Sequence, residues 1–175
     1  MKSLYKQICK FYVVAGFFAI IFASCGGPSH KKDEFLLIDV SFKDVFSDCH
    51  INGAVNIPFD KVEIKARKLN KDGKVVLYCT NYECTSSLEA AKILKRKGFK
   101  DISVYEGGIA EWHQLGNEGK DFHCNGKCKN AFLSQKIEPH EVEHQDGMAV
   151  ISAQELKGLL EKYVYDKKTL QEVQK

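Results

Sequence analysis

The segment Cys79-Thr-Asn-Tyr-Glu-Cys-Thr-Ser86 sets two thiols five positions apart in an otherwise polar stretch. An ionised thiol is a strong nucleophile, and a second thiol in reach can resolve or trap the first as a disulfide. What precedes and follows decides whether the first thiol is activated. Val75 to Tyr78 is a short apolar, β-branched and aromatic run set off by Asp72-Gly73, and it reads as a buried strand. Ser86 to Lys97 places Leu88, Ala90, Ala91 and Leu94 at helical spacing, with Gly98 as a stop. A loop between a strand end and a helix N-terminus gathers backbone N–H groups and the positive end of the helix dipole. Cys79, opening that loop, is therefore the expected nucleophile. The plainer alternative is a small buried hydrophobe at a strand end.

Further elements must position this loop. Phe35 to Val40 is an apolar run of strand length, followed by a short helical segment within Ser41 to Phe46. Gly53 marks a tight turn and Pro58 an extended exit. Asp60 to Leu69 carries Val62, Ala66 and Leu69 on one helical face, and Asn70 to Lys74 is a polar turn. Asp101 to Tyr105 is another strand, Glu106-Gly-Gly108 a turn, and Ile109 to Leu115 a helix closing at Gly116. This alternation predicts an α/β fold with a mainly parallel sheet and helices on both faces. The loop after Cys79 then lies at the carboxyl end of the sheet, where such folds bind ligands.

Leu37-Ile-Asp-Val40, His50-Ile-Asn-Gly-Ala-Val-Asn-Ile-Pro58, Val75-Val-Leu-Tyr-Cys79, Ser87-Leu-Glu-Ala-Ala-Lys-Ile-Leu94 with Gly98-Phe99, and Tyr105-Glu-Gly-Gly-Ile-Ala-Glu-Trp112 resemble, in order and spacing, the signatures of a rhodanese-like domain over residues 35–116. The resemblance implies a sulfurtransferase in which Cys79 carries sulfane sulfur as a persulfide. Thr80, Asn81, Tyr82, Glu83, Cys84, Thr85 and Ser86 would form the substrate-binding loop; the thiol spacing makes Cys84 a candidate resolving thiol, the alternative being an incidental loop residue. His50 is expected to order the loop through hydrogen bonds, with Trp112 and Glu106 in packing and turn roles. The sequence departs from the family pattern in three places. Asp39 is followed by Val40-Ser41 rather than Arg, so a local ion pair is missing. Cys49 replaces the usual Gly before His50. The active loop is two residues longer than usual, contains Glu83 and carries no basic residue, which disfavours small dianions such as thiosulfate.

Two rival functions stand beside sulfur transfer: a thiol–disulfide redox protein using Cys79 and Cys84, and a binding module that keeps the fold without turnover. A phosphatase-like or arsenate-reductase-like use of the longer loop is opposed by its lack of Arg. The expected partners are a small sulfur-containing donor and a thiol acceptor, with no organic cofactor and no metal at the catalytic loop. Apolar content of 44% and charge of 28% are ordinary for a globular chain, and a net charge of +3 without a long basic block excludes a nucleic-acid partner.

The first 24 residues read as an export signal: Lys2, Lys6 and Lys10, then an apolar run from Phe11 to Phe22 too short for a comfortable membrane span. Phe22-Ala-Ser-Cys25 resembles a bacterial lipobox, with Phe22 where Leu is usual, so Cys25 is the expected lipidation site. Residues 25–34 would be a tether, and the protein a membrane-anchored lipoprotein of the cell envelope. Loss of residues 1–24 removes three lysines and no acid, taking the formal charge from +3 to zero.

Residues 117–147 read as a polar connector with Cys124, Cys128, His140 and His144. Cys124 and Cys128 would pair in a disulfide, join the two histidines around a metal, or do neither. Residues 148–175 contain a short strand at Ala149 and a helix with Ser152 as N-cap and Glu155 at N3. A strand and helix of this kind normally open a rhodanese domain and are missing before Phe35. The C-terminal segment is therefore expected to complete the domain by circular permutation; the start of a second, truncated domain is the alternative.

Overall fold

A computed structural model describes residues 34–137 and 148–163. The expected signal, lipobox and most of the tether lie outside the described residues, as do His140, His144 and the chain after Tyr163.

Five strands form one sheet in which every pairing is parallel: β1 (Phe35–Asp39), β3 (Val55–Asn56), β4 (Lys74–Tyr78), β5 (Asp101–Tyr105) and β7 (Ala149–Val150), in spatial order β3-β1-β4-β5-β7. All five residues of β1 are buried, which is why it reads as a continuous apolar run rather than an alternating one. Its side chains still alternate between two cores. Leu36 and Ile38 join Val75, Leu77, Val62, Ala90, Ala91 and Leu94 on one face. Phe35 and Leu37 join Val76, Tyr78, Tyr105, Ile109, Trp112 and Leu156 on the other. Each fully buried aliphatic side chain stabilises the fold by about 1.5–3 kcal/mol.

Helices α2 (Phe59–Lys65) and α3 (Ser86–Arg96) cover the first face. Helices α4 (Gly108–Asn117) and α5 (Ala153–Lys162) cover the second. A shorter α1 (Lys43–Asp48) has no buried residue. The helical pattern expected through Leu69 ends earlier, because Ala66–Lys68 tightens to a 3-10 turn. Gly116 lies inside α4 rather than ending it.

The C-terminal strand and helix complete this domain. β7 pairs with β5, Ser103 opposite Ala149 and Val104 opposite Val150. Ser152 caps α5 in a full capping box with Glu155. Ala153 and Leu156 are buried in the core formed by β4 and α4. A strand late in the chain thus occupies the sheet edge beside β5.

Residues 117–147, expected as a connector, also contribute to the core where described. Phe122 and Leu133 are buried, and the strand β6 (Cys124–Gly126) pairs antiparallel with β2 (Cys49–Ile51). Of the alternatives left open for Cys124 and Cys128, their bridge to each other is not formed. Cys128 is bonded to Cys49 across 79 positions, with a Cα separation of 4.6 Å, and Cys124 is a free thiol. The β2–β6 register explains the change: it sets Cys49 opposite Gly126, two residues ahead of Cys128, and Cys124 opposite Ile51.

Candidate active site

β4 ends at Tyr78, so Cys79 leaves the sheet at its carboxyl edge, as the strand pattern implies. Cys79 is 5% exposed and packs among the residues of the α2–α3 face. Its sulfur is bonded to that of Cys84, with the Cα atoms 6.2 Å apart. The Thr80 hydroxyl lies 3.9 Å from Cys79 Sγ. The loop turns tightly before the second cysteine: the Cys84 amide donates to the Asn81 carbonyl at 3.1 Å. Thr85 is the N-cap of α3 and makes no side-chain cap bond; Ser86 is the first helical residue. The loop that carries both sulfurs thus runs directly into the N-terminus of an 11-residue helix, whose free amides and dipole favour negative charge nearby.

The start of α4 clamps the other side of the loop. The Ile109 amide donates to the Cys79 carbonyl at 3.0 Å, and the Ala110 amide to the Thr80 carbonyl at 2.9 Å. This approach depends on Gly108, whose φ of +61° and lack of a side chain let its backbone sit against Cys79 and Thr80. Glu111, one turn further on, accepts from Tyr105 Oη at 2.7 Å and from Tyr82 Oη at 3.2 Å. Burial, followed by the charge of Glu111, pushes the Tyr82 phenol up to about 12 and raises that of Tyr105 further. Both phenols therefore remain donors at neutral pH and tie the loop to β5 and α4. The sequence reading missed Glu111 and Gly108 as loop supports; the Glu-Gly-Gly turn was the visible signal for the glycine.

Asn81, Tyr82 and Glu83 line one side of a cavity of about 250 Å³. Phe132, Gln135, Lys136 and Ile137 line the other, with Ala110 completing it. The loop itself has no cation, yet the fold brings Lys136 from outside it to the same cavity. Nothing in the local spacing around Cys79 points to a residue so distant in sequence.

The other expected residues separate from the loop. His50 makes its hydrogen bond to the Phe46 carbonyl at 2.7 Å and stacks on the Phe46 ring at 3.9 Å, so it fixes the α1–β2 junction. Burial holds its pKa below the usual histidine range, which keeps the ring neutral at pH 7. Trp112 packs in the core and donates Nε1–H to the His123 carbonyl at 3.1 Å. Asp39, which lacks the arginine of the family pattern, accepts from the Ser41 amide at 2.8 Å, and burial pushes its carboxyl up to about 6.

A parallel five-stranded sheet with helices on both faces and a cysteine opening the loop at its carboxyl edge defines a class that the comparisons specify. The rhodanese-like domain family matches residues 28–115, just over half of the 175 residues, and the chain belongs to this family. It is 30% identical over 82 residues to the thiosulfate sulfurtransferase GlpE of Coxiella burnetii, covering 47% of this chain and 75% of that protein. It is 32% identical over 82 residues to the putative sulfur carrier protein YrkF of Bacillus subtilis, covering 46% of this chain and 43% of that one. Among solved structures, BH2092 of Bacillus halodurans aligns at 26% identity with a TM-score of 0.46, over 54% of this chain and 65% of that one.

Proposed function

We propose that this chain is a sulfurtransferase in which Cys79 takes up sulfane sulfur and Cys84 releases it. The observation that carries this reading is the place of Cys79 at the head of the loop between β4 and α3 in a chain of the rhodanese-like family; the bond to Cys84 puts a second thiol in reach of it. In the first step the Cys79 thiolate attacks the sulfane sulfur of a donor. The remainder of the donor leaves with the bonding pair, and Cys79 becomes a persulfide. In the second step the Cys84 thiolate attacks Cys79 Sγ. The bond to the outer sulfur breaks, hydrosulfide leaves with that electron pair and takes a proton from solvent, and the Cys79–Cys84 disulfide closes. The two cysteines lose two electrons and the sulfane sulfur gains them. A dithiol reductant then restores both thiols. The Tyr82–Glu111–Tyr105 hydrogen bonds hold the loop through this cycle.

Mass spectrometry of reduced protein exposed to a sulfane donor tests the cycle. Wild type should release sulfide and close the disulfide. Cys84→Ser should retain a gain of about 32 Da, one sulfur atom, on Cys79. Absence of that gain in the Cys84→Ser protein sinks the sulfurtransferase reading.

A second reading, thiol–disulfide exchange without sulfur transfer, is favoured by the Cys79–Cys84 bond itself, by Glu83 and by the absence of a basic residue between Thr80 and Ser86. It expects the Cys79–Cys84 couple to equilibrate with dithiol buffers while no sulfur is taken up.

We further infer that the protein works at a bacterial cell envelope, tethered through lipidated Cys25. Support comes from the lysines and apolar run ahead of Cys25 and from the Cys49–Cys128 disulfide, a kind of bond that persists in oxidising compartments. Among the described residues no helix is long and apolar enough to cross a membrane. Labelling cells with an alkynyl fatty acid tests the anchor: the label should enter the native chain and not a Cys25→Ala variant.

A further inference from the structure

On the sheet face covered by α4 and α5, three sulfurs converge. The Sγ atoms of Cys49, Cys124 and Cys128 all lie within 4.8 Å of one another, and among the described residues the group consists of cysteines alone. Two of them form the disulfide Cys49–Cys128, and the third is the free Cys124. The catalytic proposal uses none of them.

The backbone around this cluster is held by contacts that do not need the disulfide. Asp48 is the organising residue. Its carbonyl accepts from the Cys128 amide at 2.9 Å. Its carboxylate accepts from the Lys129 amide at 3.0 Å, from the Asn130 amide at 2.9 Å and from Asn130 Nδ2 at 2.9 Å. Cys128 sits at a φ of +48°, a left-handed conformation that a β-carbon disfavours and that these bonds maintain. The β2–β6 ladder fixes Cys124 opposite Ile51. Gly126 passes against Asp48 so closely that a β-carbon there would stand 2.1 Å from its carbonyl oxygen.

We propose that, once reduced, Cys49, Cys124 and Cys128 form a three-thiolate site for a copper(I) ion. Opening requires a dithiol reductant, which loses two electrons and becomes a disulfide while Cys49 and Cys128 become thiols. The cation then takes three thiolates, and three protons leave to solvent. Three sulfurs around a soft ion at about 2.3 Å stand about 4 Å apart. Cys124 already lies within 4.8 Å of the other two, so only the Cys49–Cys128 pair must spread. Soft sulfur donors with no histidine or carboxylate in the set select copper(I), whereas zinc needs a fourth ligand. A coordinated metal removes the proton of each thiol outright. The disulfide and the copper site are alternative states of one cluster, selected by the reductant present.

The test uses full-length protein carrying Cys79→Ser and Cys84→Ser, so that the catalytic thiols do not bind metal. It is reduced with a dithiol under anaerobic conditions and titrated with copper(I) against a chromogenic chelator. One equivalent should bind tightly, with sulfur-to-copper charge-transfer absorption in the near ultraviolet. Adding Cys124→Ser removes one ligand while leaving both cysteines of the disulfide, and should weaken the binding by more than about 100-fold, beyond the loss typical of an outer-shell change. Equal affinity with and without Cys124 overturns the site. So does loss of the folded circular-dichroism signal on reduction, because the cage would then not survive opening. Tighter binding of zinc(II) than copper(I) by the same reduced protein overturns the choice of ion.

Discussion

Gly108 and Cys79 are in backbone contact: a β-carbon on Gly108 would stand 2.5 Å from the Cys79 carbonyl oxygen and 2.6 Å from the carbonyl carbon of Thr80. This contact allows the neighbouring Ile109 amide to reach the same Cys79 oxygen. Gly108→Ala combines a clash with rigid backbone and a positive φ. It should destabilise the protein by about 1–3 kcal/mol and displace the strand end that carries Cys79. Urea unfolding measures the first effect and single-turnover sulfur uptake the second. An alanine variant equal to wild type in both would show that the contact is dispensable.

The C-terminal strand and helix are predicted to belong to the folding unit. Leu156 is 0% exposed, so Leu156→Ala should cost about 2–5 kcal/mol. Ser152→Ala, which removes the cap of α5, should cost about 1 kcal/mol. Removing residues 148–175 should unfold or severely destabilise the chain, because it uncovers the β5 edge and the core face beneath Leu156. A truncated protein with unchanged unfolding behaviour would instead mean that the C-terminal strand is an accessory.

Asp39 gives a pH dependence of defined sign. Burial raises its folded-state pKa to about 6 from the ordinary value of 3.8. The folded state therefore holds this proton more tightly than the unfolded state. The stabilisation is fully present below pH 3.8 and is lost as pH rises through about 6. Asp39→Asn should remove this component, worth at most about 3 kcal/mol between the two limits. The comparison is the slope of unfolding free energy against pH between 4 and 7 for the two proteins; parallel slopes would rule out Asp39 as the titrating group.

Glu83 and Lys136 line one cavity along the loop that follows Cys79, with opposite charges. For an anionic donor such as thiosulfate, Lys136→Gln should raise KM and Glu83→Gln should lower it. Each change should be up to about fivefold, since both side chains are exposed and screened. A neutral organic donor should show neither trend. Steady-state kinetics with the two donor types checks the signs, and identical responses to both donors would remove charge as the cause.

Much of the fold is legible locally. Val75 to Tyr78 and Phe35 to Asp39 form strands because short apolar runs bounded by turn residues satisfy their backbone bonds in a buried sheet. The spacing of Leu88, Ala91 and Leu94 fixes the buried side of α3, and Ser152 with Glu155 caps α5 through a contact only three residues long. The position of Cys79 at the end of a strand follows from the same reasoning. His50 was legible as a hydrogen-bonding residue, but its partner was not: the bond runs back to Phe46.

The sequence by itself determined the alternation of β1, β4, β5 and β7 with their helices, the Ser152 cap and the thiol-bearing loop, because these depend on periodicity and on neighbours a few residues apart. Only the tertiary structure decided that Cys128 pairs with Cys49 rather than the nearby Cys124, and that Lys136 reaches the cavity beside Glu83. A disulfide forms between cysteines whose α-carbons come within bonding reach. Here that approach is set by the β2–β6 register and the Asp48 hydrogen bonds across about eighty positions of chain, and no local pattern in the sequence encodes it.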